Sequence, residues 1–382
     1  MEPTELLKII SRGEDSKHQF KESINNVDSL AAEMVAFSNS QGGMLIIGVT
    51  DNGQIAGLSM PDLNKLNNLI SNAASQSVRP PINPFTENVQ LPDGLVVVVN
   101  IPAGVSKPYM DNNGAIWVKS GADKRKVTAR EEMQRIFQAA GLVHADEIPV
   151  NGMTATDVDK DYFKRFFHKQ YGESLDDLDI PLPKLLENMD LMKDGTLNIA
   201  GALFFANNQE YRLPVFCVKG AAYPGASTQI SKYRDSDDIH GKLEDVFNRS
   251  VSFITRNLRR VQGEKSVNSI GDLEIPKISL EELVANALVH RDYFISAPIR
   301  IFIFDNQVEI ISPGHLPNNL TIENIKNGIS MIRNPIIASL AAKILPYRGL
   351  GNGIRRAIKE YPHIEFIDHR EGNEFKAILK RI

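Results

Sequence analysis

Between Leu30 and Val49 the chain changes its hydrophobic period. In "SLAAEMVAFSNS" Leu30, Met34 and Phe37 recur at spacings of four and three, with Ala31 and Val35 beside them. That is the apolar face of an amphipathic helix. Gly42 and Gly43 end the pattern, as glycine does beyond a helix C-terminus, and "MLIIGVT" follows at once as an apolar strand. A chain that passes from helix to strand in this way implies an α/β or α+β domain. Asp51-Asn52-Gly53 then predicts a tight hairpin with "QIAGL" as the return strand, because Asn-Gly supplies the positive φ angles such a turn needs.

The same alternation runs through residues 1–140. Residues 4–12 predict a short helix, and "LNKLNNLISNAASQSV" a second that "RPPINP" stops. "LVVVVNIP" predicts a central strand, "AIWVKSG" a further strand, and "TAREEMQRIFQAAG" a helix capped by threonine. Residues 141–160 read as a linker, and 161–382 as a second domain. There, residues 161 to about 192 are helical, and "IAGALFFAN" and "LPVFCVKGAAY" read as strands. Two helices, "IHGKLEDVFNRSVSFITRNL" and "SLEELVANALVHRDY", precede a hairpin made of "PIRIFIFDN" and "QVEIISPG". "NPIIASLAAKIL" is a helix, "YRGLGNG" a glycine-rich loop leading into the helix "GIRRAIKEY", and "EFIDHREGNEFKAILKRI" a closing hairpin. The predicted class is α+β. A length of 382 residues fits two or three cores rather than one.

Charge and cysteine content narrow the function classes. A formal net charge of −4 argues against a globally basic nucleic-acid binder and leaves a local patch open. One exists on paper: Lys119, Lys124, Arg125, Lys126 and Arg130 fall within twelve positions beside Trp117. Such a cluster either contacts phosphates with an aromatic stacking on a base, or is a solvated turn around a core tryptophan. The single cysteine, Cys217, excludes an intrachain disulfide, fits a cytoplasmic location, and leaves no zinc-type ligand spacing. No apolar run has the length of a membrane span, and no secretory leader is recognisable. No Gly-x-x-x-x-Gly-Lys-Ser/Thr loop occurs, so a P-loop motor is not expected.

Residues 5–140 resemble the Schlafen-type Alba-like domain, a nucleic-acid-binding domain. The match lies at Gly13, Glu14, Phe20, Lys21, Ala36, Phe37, Asn39, Gly42, Gly43, Gly48, Val49, Asp51 and Gly53, with "WVKSGADKRKVTAREEM" similar to the closing strand and basic turn. The resemblance implies DNA or RNA as partner, with Lys21, Trp117 and the basic cluster as contacts. Some relatives carry three carboxylates and cut RNA with a divalent metal. Here Glu14 and Asp51 match the first and third positions, while Gln19 stands at the second and cannot be an anionic ligand. A nuclease therefore stays an alternative. Asp51 also suits plain turn chemistry, and Gly42-Gly43 either caps the helix or lets backbone approach a phosphate.

Residues 278–382 resemble a divergent ATPase domain of the GHKL superfamily, an α/β-sandwich found in proteins loosely labelled RecG-related ATP-dependent DNA helicases. Carrying the likeness are Asn286-Ala287-Leu288, His290-Arg291-Asp292-Tyr293, Pro313-Gly314, Arg333-Asn334-Pro335, and Gly349, Gly351 and Gly353. Glu282 and Asn286, at i and i+4, share a helix face. The resemblance implies Glu282 as general base, Asn286 as Mg²⁺ ligand, and Gly314, Gly349, Gly351 and Gly353 as nucleotide contacts, with ATP and Mg²⁺ as ligands. The aspartate that reads adenine in that superfamily is replaced by Ser312 in "SPGHL". Equally, Asn286 is a plain helix-face polar residue and the glycines a plain loop. The resulting expectation is a nucleic-acid-binding regulatory or defence protein with a nucleotide-binding second domain, forming homo-oligomers. A metal-dependent or ATP-coupled nuclease and a ligand-free assembly protein are the competing readings. Many such chains continue into a helix-turn-helix. This one ends at Ile382, so promoter reading is not expected.

Overall fold

The structure, a computed structural model, describes residues 1–228, 232–262, 271–317 and 320–382. The chain divides into two compact units, Met1–Val143 and His144–Ile382, and both mix helix with sheet.

In the first unit four strands lie in the order His18–Lys21, Gly43–Ile47, Gly94–Ile101, Phe85–Leu91. The first pair is parallel and the other two pairs are antiparallel. The β-branched run is central, as expected: Val96, Val97, Val98 and Val99 all have zero exposure, because both faces of the strand are covered. Val97 and Val99 face the Val27–Asn39 helix with Leu30, Met34 and Phe37, while Val96 and Val98 face Leu6, Ile10 and Phe20. The helix begins at Asn26, whose side chain accepts from the Asp28 and Ser29 amides.

Three local expectations change. "QIAGL" forms no strand: Val49 and Ile55 make one isolated bridge, and the Gly53 amide bonds Thr50 O across the turn. Only Gly53 of the Asn-Gly pair has positive φ (+78°), so this is a three-residue loop closed by a glycine rather than a two-residue hairpin. The basic cluster is not a turn but mostly the second strand of a hairpin, Trp117–Ser120 with Asp123–Lys126. The Arg130–Ala139 helix starts at Ala129 with no side-chain cap, so Thr128 does not cap it.

The second unit is a two-layer α/β sandwich. The six strands of its main sheet run in the order Asp235–Ile239, Val218–Ala222, Ile299–Ile303, Gln307–Pro313, Glu374–Lys380, Ile364–His369. Only Val218–Ala222 with Ile299–Ile303 is parallel, so both predicted hairpins form. One sheet face supplies Val218, Ile301, Ile310 and Ala377 to a core shared with the Leu243–Arg256 and Lys277–His290 helices. "IAGALFFAN" is not a strand but the helix Ile199–Phe205, buried along its whole length. A fully apolar run carries no period, and the deciding contact is Asn198, whose side chain caps the Gly201 amide at 2.8 Å.

Residues 144–160 also pack. Ala145, Val150, Met153 and Val158 belong to the second core. Asp146, with zero exposure, accepts from the Ile336 and Ile337 amides at 2.8 and 2.9 Å and so caps the Pro335–Ile344 helix. Its other oxygen is buried without a partner. Burial raises the carboxyl to about 6, against the opposing pull of the two amides. The fold thus favours the protonated form. That contribution is complete below about pH 4, the range of an unfolded aspartate, and is lost as the pH rises through about 6. Asp146→Asn keeps an acceptor for both amides and cannot ionise. Thermal melts from about pH 4.5 to 7.5 should show the variant gaining on the wild type by roughly 2–3 kcal/mol. A difference between the two that does not change with pH would refute this.

Candidate functional site

In the first unit, the residues of the helix–Gly-Gly–strand stretch act on backbone. Asn39, at the end of the helix, donates from Nδ2 to Tyr109 O and Trp117 O, both at 2.9 Å, and accepts from Tyr109 N at 2.7 Å. One side chain thereby fixes the strand that carries the basic hairpin. A Cβ on Gly42 would lie 2.6 Å from Ala103 N, and one on Gly43 would lie 2.5 Å from Lys17 O and from the Phe37 ring. These glycines are required by internal packing as well as by the helix end.

The predicted nucleic-acid contacts divide by partner. Lys119 is half-buried, bonded to Gln19 Oε1 and Ala122 O, and lies 4.8 Å from the Phe37 ring centre. Burial lowers its ammonium below the usual lysine range. Lys124 pairs at 2.6 Å with Glu33, whose side chain is buried. Arg125 is held by both oxygens of Glu132, at 2.6 and 2.8 Å. Trp117 is not a free stacking surface: it packs against the core, and its indole N–H donates to Asp111 at 2.8 Å. Lys21 stands 3.9 Å from Asp51. Lys126 and Arg130 are exposed and make no ion pair among the described residues.

The predicted acids have different partners. Glu14 accepts from Phe20 N at 2.7 Å and from Gln19 Nε2 at 3.3 Å, so Gln19 bridges Glu14 to Lys119. Asp51 is exposed on the turn, facing Lys21. Among the described residues no group of three or more His, Cys, Asp or Glu is placed to hold a metal ion.

The second unit holds a cavity of about 270 Å³ whose lining includes Glu282, Asn286, Gly314, Gly349, Gly351 and Gly353. All six residues that the sequence singled out in this half meet there. The Lys277–His290 helix forms one wall, and Asn286 Nδ2 donates to Glu282 O at 2.6 Å. A carbonyl only accepts, so the contacting atom is the amide nitrogen. Asn286 Oδ1 therefore remains as an acceptor. Opposite, Gly351 (φ +71°) begins the Asn352–Glu360 helix. A Cβ on Gly353 would collide with Glu282 Oε2, so a side chain there would push the Glu282 carboxylate aside. The remaining wall is the sheet. Gly314 (φ +98°) follows the Gln307–Pro313 strand, and Leu316 N is held by Asp368 at 2.8 Å.

Other lining groups were not singled out as site residues. His290 bonds the Tyr347 hydroxyl at 3.0 Å, and burial lowers its imidazole to about 4, so it is neutral near pH 7. Ser312 points its hydroxyl at Ala287 O, 3.3 Å away. Arg356 forms an ion pair with Glu282. No spacing rule links positions 282 and 356, and only the packing of the two helices pairs them.

Residues 14–128 match the family described as "Schlafen, AlbA_2". Residues 296–379 match the one described as "Putative ATP-dependent DNA helicase recG C-terminal". Among solved structures, the DIP2311 protein from Corynebacterium diphtheriae is similar at 19% identity over 99% of this chain and 80% of its own, with a TM-score of 0.48. A second structure is the N-terminal domain of the "Putative ATP-dependent DNA Helicase RecG-related Protein" from Nitrosomonas europaea. It is 23% identical over 34% of this chain and 96% of its own, with a TM-score of 0.25. No curated protein matches. The chain therefore carries a Schlafen AlbA_2 domain in its first unit and an ATPase-like domain of the recG C-terminal family in its second.

Proposed function

We propose that this is a nucleic-acid-binding protein whose second unit binds a nucleotide. The observation that carries the reading is the convergence of Asn286, Gly349, Gly351 and Gly353 on one cavity beside the N-terminus of the Asn352–Glu360 helix. Glycine backbone there can approach phosphate oxygens, and the helix end favours negative charge. Asn286 Oδ1 is a hard oxygen donor of the type Mg²⁺ takes. The residues present therefore fit a magnesium nucleotide, and bound Mg²⁺ would neutralise phosphate charge. Base recognition is the weak part. Ser312 stands where the superfamily has its adenine-reading aspartate, and its hydroxyl is turned to Ala287 O.

Calorimetry with ATP, ADP and GTP in the presence of Mg²⁺ tests this. Binding is expected with less than about tenfold separation between ATP and GTP, because no fixed carboxylate selects the base edge. Asn286→Ala should weaken binding only when Mg²⁺ is present. Heats indistinguishable from dilution for all three nucleotides, on folded protein, would remove the proposal for this half.

For the first unit, support comes from the AlbA_2 match and from the outward cations of the hairpin and the helix after it. Lys126 and Arg130 are exposed and make no ion pair among the described residues, and Arg125 and Lys21 have only exposed or long pairings, whereas Lys119 and Lys124 serve the interior. Charge reversal at Lys126 and Arg130 together should lower affinity for all oligonucleotides alike and reduce the salt slope by about two. Lys124→Ala should act on folding instead, because it strands the buried Glu33 carboxylate, and should lower the melting temperature. Fluorescence anisotropy across a salt series, with melts of each variant, separates the two effects. Unchanged affinity in the double reversal would move the interface elsewhere.

A further inference from the structure

The Glu282 carboxylate, read from the sequence as a general base, is engaged by the Arg356 guanidinium. The pair is nearly closed off on the acid side: the Glu282 side chain is 5% exposed and that of Arg356 34%. It lies in the shared wall of two cavities. Glu282, Tyr347, Arg348 and Arg356 line both the nucleotide cavity and a neighbouring one of about 350 Å³, bounded further by Ile278, Glu281 and Pro346. Among the described residues, Glu282 is the single carboxylate lining the first cavity. The arginine is not saturated: its Nε is buried and has no partner. A guanidinium has five donors in a fixed fork, so this one can take a further acceptor.

We propose that Arg356 is the residue by which the cavity recognises phosphate, and that Glu282 is its competitor in the ligand-free protein. This rests on the nucleotide reading of the same cavity. The placement follows from helix geometry. Gly353 and Arg356 are three apart on the Asn352–Glu360 helix and share a face. The missing side chain at Gly353 leaves the space in which Glu282 Oε2 and the Asn286 amide sit. A phosphate group carried past the glycine loop reaches the helix start and, one turn on, Arg356. Phosphate offers the fork more negative charge than one carboxylate does. The exchange turns Arg356 to the ligand and leaves Glu282 without its partner. The cavity thus grades ligands by phosphate charge, and Glu282 sets the threshold.

The sign of one variant separates this from a purely catalytic Glu282. A carboxylate that only activates water can be neutralised without altering ground-state binding. If it competes for Arg356, Glu282→Gln frees the guanidinium and tightens binding. Titration calorimetry of the full chain with Mg²⁺ and ATP, AMP or adenosine should show Glu282→Gln binding ATP about tenfold tighter than the wild type, with adenosine unchanged. Arg356→Gln should weaken ATP by about tenfold and leave adenosine unchanged. Adding Glu282→Gln to Arg356→Gln should then bring no gain. Melts without ligand read the pair itself: Arg356→Gln lowers the melting temperature by stranding a buried carboxylate, and the double variant recovers it. ATP affinity that is equal in the wild type and Glu282→Gln overturns the proposal while the nucleotide reading stands. Absence of binding for every probe, in the wild type and Glu282→Gln alike, overturns both.

Discussion

The second unit depends on a buried guanidinium. Arg291, 1% exposed, ends the Lys277–His290 helix and donates to Ile295 O and Ala297 O at 3.1 and 2.6 Å. The Phe216 and Tyr293 rings flank it, each centre 4.8 Å away. A charge this deep is tolerated because two carbonyls and two ring faces meet it, although its Nε is buried without a partner. Asn334 completes the joint, donating to Val289 O and Arg291 O at 2.8 and 2.9 Å. The next residue opens the Pro335–Ile344 helix that Asp146 caps. Asn286 and Glu282 lie about one and a half and two and a half turns before this anchor on the same helix.

Around that anchor the residues of the recognised motifs do two different jobs. Arg291, Asp292, Arg333 and Asn334 build the frame: Asp292 stands 4.0 Å from Arg333, which also donates to His315 O at 2.8 Å. Gly314 fits because a side chain there would run into both Asp292 and Arg333. Glu282, Asn286 and the glycines of 349–353 face the opening. The Glu282–Arg356 pair joins frame to opening, which is why one substitution there would change both stability and binding.

The first unit spends charge in a similar way. Lys119 and Lys124 are anchored on the helix and strand that carry Gln19 and Glu33, and the desolvation of Glu33 makes its lysine indispensable. Burying two of the five cationic residues in that stretch fixes the hairpin and leaves the others at the surface. A run of lysines and arginines in a sequence is thus not a measure of the cations a phosphate backbone can meet.

What the sequence determined by itself was the alternation of helix and strand, the central β-branched strand, both hairpins of the second unit, and the shared helix face of Glu282 and Asn286. These are short-range properties, set by hydrophobic period, turn chemistry and i, i+4 spacing. The tertiary structure decided the rest. It buried the periodless Ile199–Phe205 on every side, where a helix, capped locally by Asn198, satisfies its own backbone. It put Trp117 against Asp111 and the core, since an indole N–H finds a partner when it is covered. It set Arg356 on Glu282 across 74 positions of chain. Contacts of that range depend on which helix faces meet, and facing is fixed only when the whole core is assembled.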